Sequence, residues 1–179
     1  HFKNRAAWVC LLAVFGLVSG FIVQNFEGML MQFTILAVFM PMLADTGGNT
    51  GSQAATLVIR ALALQEITSK DIFRIIWKEA KVSIMLGLLL AVIAFARVMV
   101  FGGKTGIPEG FSHVAVATAI SAALCMQVVT STVIGAILPL AASHMKLDPA
   151  VVASPAVTTI VDITGLLIYF TTAKVLLGF

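Results

Sequence analysis

The sequence predicts an all-α integral membrane protein with five transmembrane helices. Of its 179 residues, 60% are hydrophobic and only 11% are charged, whereas soluble domains average about 45–50% apolar and ~25% charged residues. The apolar residues form stretches of about 20 residues or more, the length that a helix needs to cross a bilayer. No internal repeat or low-complexity segment divides the chain, so residues 1–179 are treated as one membrane domain.

Five apolar stretches are the predicted spans. In chain order they are residues 6–23, 30–59, 82–101, 114–142 and 155–177. The first follows Lys3 and Arg5 and could be taken for a signal peptide, but no small-residue cleavage site with a soluble sequence follows it. We expect a true span, in a chain cut from a longer protein.

The second stretch, from Leu30 to Ile59, is too long for a straight span. A helix of that length measures ~45 Å, against ~30 Å for the hydrocarbon core. The stretch also contains Pro41 and a glycine-rich run from Asp45 to Gly51. We therefore expect a kink or an unwound turn between Pro41 and Gly51, which the membrane tolerates only where protein or water surrounds it.

The segment from Thr68 to Lys81 is the only charged stretch of any length. Its first four residues fit a capping box, and Ile72, Ile75 and Ile76 form an apolar face. We expect a cytoplasmic amphipathic helix at the lipid headgroups, with Trp77 as an interfacial anchor. The alternative is a docking site for an upstream regulatory domain.

The distribution of basic residues predicts a cytoplasmic amino terminus. Basic residues accumulate on the cytoplasmic side of membrane proteins. With the amino terminus inside, the inner segments hold Lys3, Arg5, Arg60, Lys70, Arg74, Lys78, Lys81 and Lys146, and the outer segments hold Arg97, Lys104 and Lys174. The opposite orientation would reverse this bias.

Several other functional classes are not indicated. A net charge of +3 is too small to predict nucleic-acid binding. Cys10 and Cys125 lie in apolar runs and are typical of small buried hydrophobic residues, while His113 and His144 fall at predicted span ends. No His/Cys cluster indicates zinc or a redox metal. The triplet that begins at Asp45 matches that of aspartic proteases but occurs once, so we do not expect an enzyme.

Asp162 is the most informative residue, because it lies ~12 Å into the fifth span. An ionised Asp at such a depth costs about 2.5–3.5 kcal/mol, so it must face protein or water. Residues that share its helical face within an arc of ~80° are Ser154, Thr158, Gly165, Tyr169 and Thr172. This pattern predicts an ion or proton site, and a hydrogen bond that serves only helix packing is the alternative.

The beginning of the fifth helix adds a second feature. Pro155 is expected in its first turn, where the missing amide hydrogen does no harm. The carbonyl of Thr158 is expected to accept a hydrogen bond from the amide of Asp162. Its second lone pair remains available to a hydrated cation.

The second span has a matching polar face. Its members, spaced four, three and four residues apart, are Asp45, Asn49, Ser52 and Thr56. Gly47 and Gly51 permit close helix approach, and packing alone is the alternative explanation for them. Oxygen ligands without His or Cys favour a hard cation, Mg²⁺ or Ca²⁺. Polar residues of the fourth span, including Ser121 and Gln127, are spread around the helix and predict interhelical contacts.

Two segments resemble the signatures of the MgtE magnesium channels. The run Gly-Gly-Asn-Thr-Gly-Ser-Gln-Ala-Ala-Thr at residues 47–56, followed by Arg60-Ala61-Leu62, is similar to the family's second span. Asp148-Pro149-Ala150, Ser154-Pro155 and residues 161–169 are similar to its fifth span. The five-span layout also agrees, so the resemblance covers essentially the whole chain.

The resemblance implies a homodimeric Mg²⁺ channel of a prokaryotic plasma membrane, with a pore between the subunits lined by the second and fifth spans. Asp162 matches the pore aspartate that binds hydrated Mg²⁺, Thr158 the position whose carbonyl joins it, and Ser154 a pore-lining position often held by Asn. Ser154 and Asp45 depart from the family pattern. The family's cytoplasmic amino-terminal and CBS domains, which close the pore at high cell Mg²⁺, are implied partners.

Two other functions remain open on the residues alone. In a proton- or sodium-coupled divalent cation carrier, Asp162 would bind and release the coupling ion. In a structural or sensory membrane subunit, Asp162 would serve only assembly.

Overall fold

The computed structural model describes residues 2–67, 71–102 and 106–178, except the side chains of residues 2–5, 7, 8 and 150–155. Every regular element in these residues is a helix. They are α1 (Phe2–Asn25), α2 (Glu27–Gln32), α3 (Thr34–Ala63), α4 (Ile72–Phe101), α5 (His113–His144) and α6 (Pro149–Leu177). The predicted all-helical class is confirmed.

Three helices of the described chain are long and apolar enough to cross a membrane. They are Ile72–Phe101, His113–His144 and Ala156–Leu177, and Val9–Asn25 is a shorter apolar helix. α3 has the length, with 30 residues, but its polar and glycine-rich middle makes it less apolar than these three. The membrane character of the chain is therefore confirmed, and the number of five spans stays a prediction.

The prediction of an unwound turn in the second span is wrong. α3 is assigned as helix from Thr34 to Ala63, with Pro41 inside it. Threonine hydroxyls bond within the glycine-rich part: Thr46 Oγ1 donates to the Met42 carbonyl at 2.7 Å and Thr50 Oγ1 to the Thr46 carbonyl at 2.8 Å. These hydroxyls need no other partner, and the glycines lie against neighbouring helices, so the helix continues through a sequence of low helical propensity.

The charged segment before the third span is not a separate surface helix. From Ile72 onward it is continuous with the apolar span as α4, whose 30 residues measure about 45 Å. Since the hydrocarbon core is only ~30 Å thick, the charged turns of α4 extend beyond it. Trp77 is 67% exposed, and Lys81 Nζ lies 5.2 Å from its ring centroid. The predicted capping box begins at residues 68–70, outside the described residues.

Two smaller predictions are also wrong. α6 begins at Pro149 rather than near Pro155, so it is Pro149 that occupies the favourable first position of the helix. Cys125 is half-buried, but Cys10 is exposed on the surface of the single chain. His113 and His144 do lie at the two ends of α5, as predicted.

α5 is the central helix, since α3, α4 and α6 all pack against it. α3 also packs against α6, and α1 lies on the outer side of α6. The main hydrophobic core includes Phe33, Leu36, Ile120, Leu124, Tyr169 and Phe170, all completely buried. α3 and α5 approach so closely that a Cβ atom at Gly135 would overlap with the carbonyl of Gly51.

Candidate functional site

Asp162 lies at the edge of the packed face of α6. Its side chain is half-buried, and its carboxylate makes no hydrogen bond or ion pair with the residues that the structure describes. Thr158, one turn before it, is exposed, and Thr172 is half-buried. The side chain of Ser154 lies outside the description. A carboxylate in this position is available to a ligand or to another chain.

The other two members of the predicted face of α6 point inward. Buried residues follow a spacing of four along this helix: Val157, Val161, Gly165, Tyr169, Ala173 and Leu177. Tyr169 donates a hydrogen bond from its hydroxyl to the Leu36 carbonyl at 2.9 Å and so joins α6 to α3. In the single chain Gly165 and Tyr169 therefore serve helix packing, while Asp162 and Thr158 face away from the core.

The polar face of α3 is open in the single chain. Asp45, Asn49 and Thr56 are exposed and Ser52 is half-buried. Asn49 Nδ2 donates to Asp45 Oδ1 at 3.1 Å, which fixes the two side chains on one side of the helix. The continuity of α3 places these residues on one face, as the spacing predicts.

The two polar faces lie at the same depth. A Cβ atom at Gly47 would be 3.0 Å from Val161 Cγ1, and one at Gly51 would be 3.1 Å from Val157 Cγ1. As residue numbers rise by four on α3 they fall by four on α6, so the helices are antiparallel. Asp162 then lies level with the turn of α3 between Asp45 and Asn49.

The two helices also approach closely beside this level. A Cβ atom at Gly48 would lie 3.9 Å from Thr158 Cγ2, so the exposed threonine lies beside Gly48. One chain thus presents two carboxylates, an amide and hydroxyls along a single seam between α3 and α6. Within the described residues, no group of three or more His, Cys, Asp or Glu side chains forms a metal site.

Gln127 of α5 lies behind this seam, and the sequence predicted only an interhelical contact for it. It is 1% exposed, and its Nε2 and Oε1 atoms have no hydrogen-bond partner in the described structure. Its amide fills the space beside Gly47 and Gly165, where a Cβ atom would overlap with Nε2. The available signal was an amide in the middle of a predicted span, since polar groups in lipid are costly.

A separate cavity of about 490 Å³ lies where α3 ends and α4 begins. Its charged lining residues are Arg60, Glu66, Asp71, Arg74, Lys78 and Glu79. It belongs to the charged turns of α4 and the end of α3, several helical turns from Gly47, and is therefore distinct from the seam that holds Asp162.

Comparison with known protein families identifies the family of this chain. A family model described as "MgtE: Divalent cation transporter" matches residues 40–172, well over half of the chain and both polar faces. The chain belongs to the MgtE family. The resemblance of the two sequence segments is thereby confirmed. MgtE is described as a family of divalent cation transporters and not as an enzyme family.

Curated relatives match nearly the whole chain. The magnesium transporter MgtE of Thermus thermophilus is 38% identical over 97% of this chain and 36% of its own length. The protein of the same name from Bacillus subtilis is 36% identical over 93% of this chain and 35% of its own length, and that from Enterococcus faecalis is 27% identical over 99% and 37%. The chain thus spans about a third of the length of these relatives.

Proposed function

We propose that this chain forms the ion-conducting membrane domain of a magnesium transporter. Two copies pair about a two-fold axis, and hydrated Mg²⁺ passes between them along α3 and α6. One observation carries the proposal: the single chain exposes a polar face on α3 at the depth of Asp162, whose carboxylate has no partner among the described residues. Carboxylates at membrane depth require protein or water beside them, which a shared pore supplies.

The chemistry of the ion explains why one carboxylate per chain is enough. Mg²⁺ dehydrates reluctantly and usually keeps several of its waters. In a two-fold dimer, the two Asp162 carboxylates accept hydrogen bonds from those waters on opposite sides of the ion. The Thr158 carbonyl and Ser154 add neutral oxygens along the same path. Asp45, Asn49, Ser52 and Thr56 line it from α3.

The membrane potential is sufficient to drive uptake through such a pore. It contributes ~2.3 kcal/mol per charge per 100 mV, so ~4.6 kcal/mol for a divalent cation. That free energy corresponds to roughly a thousandfold inward accumulation. No coupling ion is needed, and this distinguishes the proposal from a proton- or sodium-coupled carrier. In that carrier, Mg²⁺ flux would depend on the proton or sodium gradient at fixed potential.

The proposed setting is the plasma membrane of a prokaryote, with the amino terminus and the charged turns of α4 in the cytoplasm. The similarity to longer magnesium transporters supports cytoplasmic domains outside this chain as further partners. A single cysteine introduced as Lys78→Cys, in a background without Cys10 and Cys125, should react with an impermeant thiol reagent only in inside-out vesicles. Labelling in intact cells would indicate the opposite orientation, with the charged turns of α4 outside the cell.

The central test is Asp162→Asn. This substitution keeps the shape of the side chain and removes one charge per chain, two per pore. At an effective dielectric of about 20, a divalent ion ~5 Å from one carboxylate gains about 6–7 kcal/mol before desolvation. Even with most of that screened, Mg²⁺ flux in liposomes should fall between several-fold and a hundredfold. The dimer should still form, because a neutral amide is cheaper to bury than a carboxylate.

The matched control is Glu109→Gln, which removes an exposed carboxylate in the connection before α5. Its flux should stay within a factor of two of the unmodified protein. Flux and dimer fraction are measured on the same preparations, by a Mg²⁺-sensitive dye and by size-exclusion light scattering. Near-normal flux from Asp162→Asn dimers would refute the pore site. Loss of the dimer with normal flux per remaining dimer would assign Asp162 to assembly.

A further inference from the structure

The buried amide of Gln127 makes the observed helix arrangement less stable than an apolar side chain would. Both polar atoms of this amide lack a hydrogen-bond partner among the described residues. Buried side-chain amides are nearly always hydrogen-bonded, because an unpaired donor or acceptor retains its full desolvation penalty. An apolar residue of the same shape has no such penalty. The amide is therefore less favourable in this arrangement than in one that gives it a hydrogen-bond partner.

The position of the Gln127 amide indicates which helices would have to move for it to gain a hydrogen-bond partner. It is enclosed by Gly47 of α3 and Gly165 of α6, and a Cβ atom on either glycine would overlap with it. Gly165 follows Asp162 by one turn, and Gly47 lies between Asp45 and Asn49. The three helices thus meet around one side chain at the depth of the proposed ion site. Any shift of α3 relative to α6 changes the surroundings of Gln127.

We propose that Gln127 is a positioning residue that favours a hydrated arrangement of the seam between α3 and α6. This inference rests on the proposed function. The hydrated ion passes between the two chains along the open edge of this seam, and moving α3 and α6 apart widens its path at Asp162 for the waters that it keeps. When α3 and α6 separate enough to admit that water, the amide gains hydrogen bonds that it lacks here. Gln127 acts through the two helices and does not contact the ion.

The substitution Gln127→Met tests this role, because Met has a similar length and shape but almost no hydrogen-bonding capacity. The observed arrangement should gain stability, so the midpoint of thermal unfolding should rise by a few degrees. The hydrated arrangement should lose the hydrogen bonds that the Gln127 amide makes with water. Relief of one such desolvation penalty shifts this equilibrium about fivefold to a hundredfold. Mg²⁺ flux per folded protein should therefore fall at least about fivefold.

Ser121→Ala is the matched control on the same helix. Ser121 Oγ is the other buried side-chain atom without a partner in the described residues, and it lies on a different face of α5. Its removal should raise the unfolding midpoint in the same way and leave flux unchanged. Both variants remove an unpaired polar atom, so both should raise the unfolding midpoint. Only Gln127→Met changes the seam, so only this variant should lower Mg²⁺ flux.

Two outcomes overturn the inference. They are raised flux in Gln127→Met and flux that is unchanged per folded protein, which together with lower stability would indicate a purely structural amide. The failure of the proposed function is distinguishable, because Asp162→Asn would then retain flux whatever Gln127→Met does. Loss of flux in Asp162→Asn together with normal flux in Gln127→Met would refute only the proposed role of Gln127.

Discussion

The junction of α3, α5 and α6 differs from the outer surface of α4 in both residue size and polarity. At the junction, glycines let backbones touch, and Gln127 is buried among them. On α4, large apolar side chains such as Met85 (73% exposed) and Val92 (66% exposed) point outward. Lipid tails are as apolar as Leu, so hydrophobicity alone cannot drive helices together in a bilayer. The comparison teaches that close shape fit, rather than apolar area, stabilises this junction.

The largest effect is expected where two backbones meet. In Gly135→Ala, the new Cβ atom would overlap with the carbonyl of Gly51, which cannot move without moving α3. Overpacking of this kind typically costs 1–3 kcal/mol and occasionally more, so we expect a loss of about 3 kcal/mol in the free energy of unfolding. The measurement is denaturant unfolding of the purified protein in lipid–detergent bicelles, with folded fraction followed by circular dichroism.

Gly16→Ala on α1 is the matched control, since a Cβ atom there has no heavy atom within 4 Å. This substitution should be neutral or stabilise the protein by up to ~1 kcal/mol through helix propensity. Similar effects at both glycines would mean that the contact between α3 and α5 is not the basis of the junction.

A smaller effect is expected for the hydrogen bond between α6 and α3. Tyr169→Phe keeps the buried ring and removes the hydroxyl that donates to the Leu36 carbonyl. A typical intramolecular hydrogen bond contributes about 0.5–1.5 kcal/mol, so the same unfolding measurement should show a loss of about 1 kcal/mol. Unchanged stability would show that the shape fit of the junction suffices without this bond.

The smallest effect is expected on the lipid-facing side of α4. Val92→Ala removes two methyl groups from an exposed side chain, and in a bilayer the lost contacts are replaced by lipid. We expect a change in the free energy of unfolding within about 0.5 kcal/mol. A loss above ~1 kcal/mol in the dimer, absent in the monomer, would place this face at a subunit contact and contradict the comparison.

Local patterns predicted the all-helical class, because hydrophobic length and a period of 3.6 residues depend only on nearby sequence. Asp45 and Asn49 share a face of α3 for the same reason. The inward direction of Gly165 and Tyr169 could not be predicted, because the buried stripe of α6 follows a spacing of four set by its crossing with α3 and α5. The role of Gln127 depends on glycines of two other helices, which no pattern within α5 contains.

The continuity of α3 was missed for a different reason. Glycine content and Pro41 predicted a break, but propensity is a weak influence when neighbouring helices pack closely on the glycines. The threonine hydroxyls that bond within α3 are also invisible to a pattern of apolar residues.

The close contact between Gly51 and Gly135 has a consequence for the synthesis of the chain. α3 is less apolar than the later helices, and the first surface to cover its glycines belongs to α5, roughly 80 residues further on. At 5–20 residues per second, α3 emerges about 4–16 s before that surface exists. During this interval its glycines and the Asp45 carboxylate need another partner, such as the insertion machinery or a neighbouring nascent chain. Stable insertion of α3 should therefore depend on completion of α5.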